Sequence, residues 1–109
     1  MTITRATTDD KKKVFMLTHT IQAGKMSDLE GQIVEPVDWA LYDDLDKKTG
    51  ELKTVLSVLT PDGKVYGTIS QTFISSFLDL ADALGDNAPF EVCSGTTKNG
   101  RTFIYPIPA

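Results

Sequence analysis

Tyr66, Phe103 and Tyr105 are aromatic residues in segments that read as β-strands, and Lys64, Lys98 and Arg101 stand at the turns beside them. Flat rings on strands can stack on nucleobases, and ammonium or guanidinium groups nearby can neutralise phosphates. Tyr42 and Lys53 extend the set. In Val37-Asp38-Trp39-Ala40-Leu41-Tyr42, strand alternation groups Val37, Trp39 and Leu41 against Asp38, Ala40 and Tyr42. This predicts a core Trp39 and an exposed Tyr42 available for stacking, and leaves Phe15 open to either role. The plainer reading of the same residues makes Phe103 core and has the tyrosines merely cover a sheet face.

Catalytic chemistry finds little footing. There is no glycine-rich phosphate loop and no His/Glu metal cluster, so neither an enzyme nor a cofactor or metal site is expected. With one cysteine, Cys93, and one histidine, His19, no internal disulfide forms and a single chain cannot assemble a Cys/His zinc site. Cys93 lies mid-strand in Phe-Glu-Val-Cys-Ser and reads as a small, partly buried apolar group. The acidic pair Asp43-Asp44 reads as part of a solvated loop.

Net charge is −4 over 109 residues. The pI of about 4.8 counts against a nucleic-acid partner, which calls for a basic footprint. Charge is unevenly placed, however. Acids gather at Asp43, Asp44 and Asp46 and at Asp79, Asp82 and Asp86; bases gather at Lys11–Lys12–Lys13 and around the hairpins. Screening limits each exposed charge to about 10 Å, so an acidic chain can carry a locally positive groove. A lone thiol, no apolar run of membrane length and no leader-like N-terminus predict a cytoplasmic chain.

The elements that must position these residues follow from pattern. Residues 1–12 are polar and aperiodic and read as a flexible arm, leaving 13–109 as one domain. Val14 to Thr20 reads as a first strand, Ala23 to Gly31 as a connection with one helical turn from Ser27, and Gln32 to Tyr42 as a second strand. Pro36 should mark an edge position or a bulge. Asp43 to Gly50 reads as a loop and Glu51 to Thr60 as a third strand. Pro61-Asp62-Gly63 is a turn signal. In the next strand, Val65 to Ser70, Val65, Gly67 and Ile69 should face the core, with Tyr66 and Thr68 outward.

A helix is expected from Gln71 to Leu84, N-capped by Ser70 and ended by Gly85 in a left-handed cap. Its predicted buried stripe is Phe73, Ile74, Phe77, Leu78, Ala81 and Leu84. The last hairpin turns at Lys98-Asn99-Gly100. Beyond it, Arg101, Phe103, Tyr105 and Ile107 alternate with Thr102, Ile104 and Pro106. Three strands, a helix and two strands is the chain order of an OB barrel. The expected fold is therefore mainly β: an OB-like five-stranded barrel with one helix between strands 3 and 4, plus an N-terminal extra strand.

The segment VLTPDGKVYGTISQT, followed by GTTKNGRTFIYPI, resembles the single-stranded DNA-binding proteins of bacteriophages of Gram-positive hosts, including small phages with protein-primed replication. The shared pattern is an aliphatic strand, an Asp-Gly turn, Tyr66 two residues after Lys64, and Ile-Ser-x-Thr entering a helix. A hairpin of the form Gly-x-x-Lys-x-Gly-Arg-x-Phe/Tyr then follows. The similarity spans roughly residues 32–107. It implies sequence-independent coating of displaced strands, with Tyr66, Ser70 and Thr72, then Lys98, Arg101, Phe103 and Tyr105, at the matching positions. Expected partners are single-stranded DNA and phage replication proteins such as the DNA polymerase, with self-association open and no membrane. The rival reading is a small phage interaction module whose acidic clusters mimic DNA and bind a host or phage enzyme.

Overall fold

The computed structural model describes residues 1–19 and 24–109. The chain is mainly β with two α-helices. Its order is β1 (Thr2–Ala6), α1 (Lys11–Thr18), β2 (Gly24–Lys25), a 3-10 turn (Met26–Leu29), β3 (Ile33–Val34), β4 (Asp38–Leu45), β5 (Leu52–Leu59), β6 (Val65–Thr68), α2 (Gln71–Leu84), β7 (Phe90–Thr96) and β8 (Thr102–Pro108). These strands form two open sheets, β1-β4-β5-β6-β2 and β3-β7-β8. All pairs are antiparallel except the short parallel contact of β2 with β6.

A closed five-stranded barrel is therefore not what forms. Six strands rather than three precede α2, and a second helix lies near the N-terminus. Residues 2–6, expected in a flexible arm, pair along β4 as β1. Val14 to Thr18, read as strand, belong to α1. Asp10 is the signal missed: its side chain caps the helix by accepting from the Lys12 and Lys13 N–H groups at 2.9 and 3.3 Å. Thr20 and Ala23, which bounded the expected strand and connection, lie outside the described residues.

The expected strand from Gln32 to Tyr42 is two strands in different sheets. Pro36 sits where the chain leaves the small sheet. The crossing is held by the Val37 N–H donating to the Leu59 carbonyl at 2.8 Å, and by the Asn87 amide donating to the Pro36 and Val37 carbonyls at 3.0 and 2.8 Å. Strand β4 also runs further than expected, because Asp43, Asp44 and Leu45 still pair with Thr54, Lys53 and Leu52.

The main core lies between the large sheet, α2 and the small sheet. Trp39, Leu41, Leu56 and Val58 meet Phe73, Phe77, Phe90 and Val92 there. Trp39 is fully buried, packs edge-to-face on Phe77 at 5.1 Å, and its indole N–H donates to the Asp86 carbonyl at 3.0 Å. Helix α2 starts as expected, with Ser70 Oγ accepting from the Phe73 N–H at 3.2 Å. Its buried stripe takes Leu80 in place of Leu84, which is exposed. Gly85 ends it at φ +108° but with extended ψ 157°, not in a left-handed helical cap.

A second cluster lies on the opposite face of the large sheet, where Leu17 of α1 packs with Ala40, Tyr42, Leu59 and Val65. Both faces of this sheet are thus covered, at least in part. Helix α1 contacts β4 and β5, and the far end of that face stays open.

Candidate nucleic-acid interface

The β7–β8 hairpin carries the outward aromatics. Its tight turn closes with the Gly100 N–H donating to the Thr97 carbonyl at 2.9 Å, at a glycine φ of +79° that most side chains disfavour. That turn sets the register Gly95↔Phe103 and Cys93↔Tyr105. Val92 and Ile104 face the main core, so Gly95, Cys93, Phe103 and Tyr105 face away from it. The two rings are half-buried neighbours, with centroids 5.8 Å apart and planes tilted by 35°. Phe103 lies flat over Gly95, where a β-carbon would stand only 2.6 Å from the ring.

Lys98 and Arg101 flank this face at the exposed turn. Ion pairs among the described residues join Arg5 to Asp82 and Asp86, Lys13 to Asp38, and Lys53 to Asp46, and leave Lys98 and Arg101 out. Cys93 is a free thiol beside Tyr105. Burial pushes its pKa up, and its hydrogen bond to the Glu91 carboxylate at 3.5 Å pushes the same way.

A groove of about 780 Å³ opens at the start of β8. Val55 and Gly67 of the large sheet line its floor, with the buried Tyr42 beneath them and Asp44 beside them. Its walls are Gly24 to Ser27 on one side and Thr68 to Ser70 with Thr102 to Ile104 on the other. Phe103 belongs to both the groove and the hairpin face, which makes them one continuous surface. Lys25 stands exposed on the rim, and Ser27, Ser70 and Thr102 add hydroxyls.

Of the eight residues predicted from sequence, four come together: Lys98, Arg101, Phe103 and Tyr105. Tyr42 does not lie exposed. It is 2 % accessible and lies beneath the groove floor, because Leu17 of α1 packs against its face. Tyr66 does not point outward either. It pairs with Val58 on the core-facing side and rests on Gly24, where a β-carbon would meet the ring at 2.7 Å. Ile69, expected in the core, is 54 % exposed.

Lys53 is held by Asp46 at 2.9 Å, which raises the lysine's pKa and, with backbone N–H donors, lowers the aspartate's. Lys64 sits in the β5–β6 turn, at the end of β6 away from Gly67 and Thr68; its N–H donates to Asp62 Oδ1 at 3.1 Å. The Thr60 hydroxyl, donating to Asp62, holds that carboxyl below the usual range.

Sequence reasoning missed Lys25 and Gly95. Nothing in the sequence announces the two-residue parallel pairing that places Lys25 beside Gly67. Gly95 was within reach, since counting back from the Asn99-Gly100 turn puts it opposite Phe103.

The family model of phage single-stranded DNA-binding proteins, of the phi29 type, matches residues 1–105. The chain belongs to that family. No curated protein and no solved structure matches it. The match takes in residues 1–31, which carried no part of the motif resemblance and which include β1 and α1 of this phage single-stranded DNA-binding protein. Its role is single-stranded DNA binding in a bacteriophage. Among the described residues, no helix is long and apolar enough to cross a membrane, and no group of three or more His, Cys, Asp or Glu is placed to hold a metal ion.

Proposed function

We propose that the protein coats displaced single strands during phage DNA replication, without sequence readout and without a chemical step, in the cytoplasm of the host. Bases stack on Phe103 and Tyr105, and Lys98, Arg101 and Lys25 neutralise the phosphates of the strand as it enters the groove. The observation that carries this reading is the outward Phe103–Tyr105 pair, continuous with a groove and flanked by two turn cations outside the ion pairs. Tyr42 and Tyr66 take structural places beneath this surface rather than stacking places on it. Lys64 and Lys53 are auxiliary, one by its distance along β6 and the other by its bond to Asp46.

Cooperative self-association along the strand, and contact with replication proteins such as the polymerase, belong to the same reading, since cooperativity is usual for single-strand coating. The rival DNA-mimic reading loses ground because Asp46, Asp82 and Asp86 are already paired with basic side chains of this chain. The test is an anisotropy titration of labelled single-stranded oligonucleotide against matched duplex at low and moderate salt. We expect single strands to bind at least about tenfold tighter, with affinity falling as salt rises. Equal affinity for both forms, or binding to neither near about 50 mM salt, would overturn the proposal.

A further inference from the structure

The groove holds chemistry that stacking and phosphate neutralisation do not use. Its volume, about 780 Å³, lies within the roughly 300–1,000 Å³ typical of small-molecule sites. Its lining is more apolar than polar, with Val55 and the flat backbone of Gly67 on the floor. The Asp44 carboxylate stands at its edge. Asp44 Oδ1 accepts from the Leu45 N–H at 3.1 Å, while Oδ2 takes no hydrogen bond among the described residues. Lys25 stands on the opposite wall, in register with Gly67.

Resting on the single-strand reading above, we infer that this groove seats nucleobases with the phosphates outside, and that Asp44 biases it toward bases with an exocyclic amino group over thymine. A carboxylate at the edge repels a phosphate, so the strand's backbone follows the rim cations Lys25 and Arg101 while bases turn inward. An ionised carboxylate only accepts hydrogen bonds. Cytosine N4, adenine N6 and guanine N1/N2 present donors to it. Thymine offers its one ring N–H between two carbonyls, which a carboxylate repels. The result is a modest bias laid over general binding, compatible with coating any sequence.

Two variants test this on the intact protein. Asp44→Asn keeps the shape but adds a donor that thymine O4 can accept. The ratio of oligo-dC to oligo-dT affinity, measured at mildly alkaline pH with equal lengths, should fall at least about threefold from the wild-type ratio. Gly67→Val places a side chain into the groove from its floor. Its β-carbon has room, meeting only the Leu56 carbonyl and Ser57 Oγ at 3.7 Å. With melting temperature retained, it should weaken both oligonucleotides at least about fivefold and flatten their ratio. Wild-type protein that binds oligonucleotides, with a ratio unmoved by Asp44→Asn, would overturn the base bias. Undiminished binding by folded Gly67→Val would overturn groove occupancy. Failure of the wild type to bind either oligonucleotide would instead overturn the single-strand reading on which both depend.

Discussion

Gly95→Ala tests the stacking surface without altering any charge or any aromatic residue. A β-carbon at Gly95 would lie 2.6 Å from Cζ of Phe103, 3.0 Å from Cε1 and 3.2 Å from Cε2. Favourable carbon–carbon contact begins near about 3.5 Å, so the ring must lift or swing by roughly 1 Å. The backbone does not resist the change, because Gly95 lacks the positive φ seen at Gly100. Phe103 is half-exposed, so the ring can move outward and the folded state should lose less than about 1 kcal/mol. Its stacking geometry with Tyr105 is lost, however.

Complete removal of one base–aromatic stack costs about 1–3 kcal/mol, or roughly 5- to 150-fold in affinity. Phe103→Ala should reach that range, and Gly95→Ala should lose about fivefold. Titrations of the two single variants and the double variant with an oligonucleotide close a cycle. In the Phe103→Ala background, Gly95→Ala should have no further effect. If Gly95→Ala is silent while Phe103→Ala is damaging, the seating of the ring on glycine does not matter. If both are silent, the hairpin face is not where bases stack.

Tyr66→Ala should lower the melting temperature through about 1–3 kcal/mol of lost packing against the core and Gly24, whereas Tyr105→Ala should leave melting nearly unchanged and weaken oligonucleotide binding; thermal denaturation with titration separates the two. Arg101→Ala and Lys98→Ala should each make the slope of log affinity against log salt shallower by about 0.7, and Lys53→Ala should change it less, because Asp46 already holds that ammonium. Trp39, fully buried, should keep its blue-shifted emission and its resistance to acrylamide quenching when the strand binds. Asp46 is held below its ordinary 3.8 and Lys53 above its ordinary 10.5. The aspartate's contribution to stability is therefore present above pH 3.8 and lost as pH falls through its lower folded value, while the lysine's is present below 10.5 and lost as pH rises through its higher one. Melting temperatures of wild type and Asp46→Asn should differ at neutral pH and converge in acid below 3.8.

Local signals that need no partner were legible in the sequence. Ser70 caps α2, and Asp62-Gly63 and Asn99-Gly100 close hairpins where their backbone preferences require. The second turn alone settles which face Phe103 and Tyr105 share. What a sequence pattern leaves open is which face of a sheet is covered, since alternation groups residues without saying what packs on them. Tyr42 shows the consequence. Its grouping with Ala40 was right, but the partner of that face is Leu17 on α1, in a segment whose run of Val14, Phe15 and Met16 reads as strand. With α1 read as strand, that face of Tyr42 has no cover. The same two-sided burial misplaced Tyr66: Val65 is in a core, as expected, but the opposite face carries the larger core. The division of the strand at Pro36 between two sheets depends on Asn87, 51 residues away, and no local pattern reports it.

The acidic pI is compatible with strand binding because of where the acids are spent. The Arg5 guanidinium lies over the Trp39 ring at 4.9 Å and reaches Asp82 and Asp86 at 3.1 Å each. Strand β1 thereby ties down the C-terminal end of α2 and offsets Asp82 and Asp86 in one contact. Exposed pairs of this kind add little stability, but they shape the field. A phosphate at the hairpin turn senses charges within about 8 Å at physiological salt, and there it meets Lys98 and Arg101. Without β1, Trp39 would lose the cation over its ring, and α2 would present unpaired acids on the molecule that must hold a polyanion. Strand β1 thus sets the charge at the C-terminal end of α2, where Arg5 offsets Asp82 and Asp86.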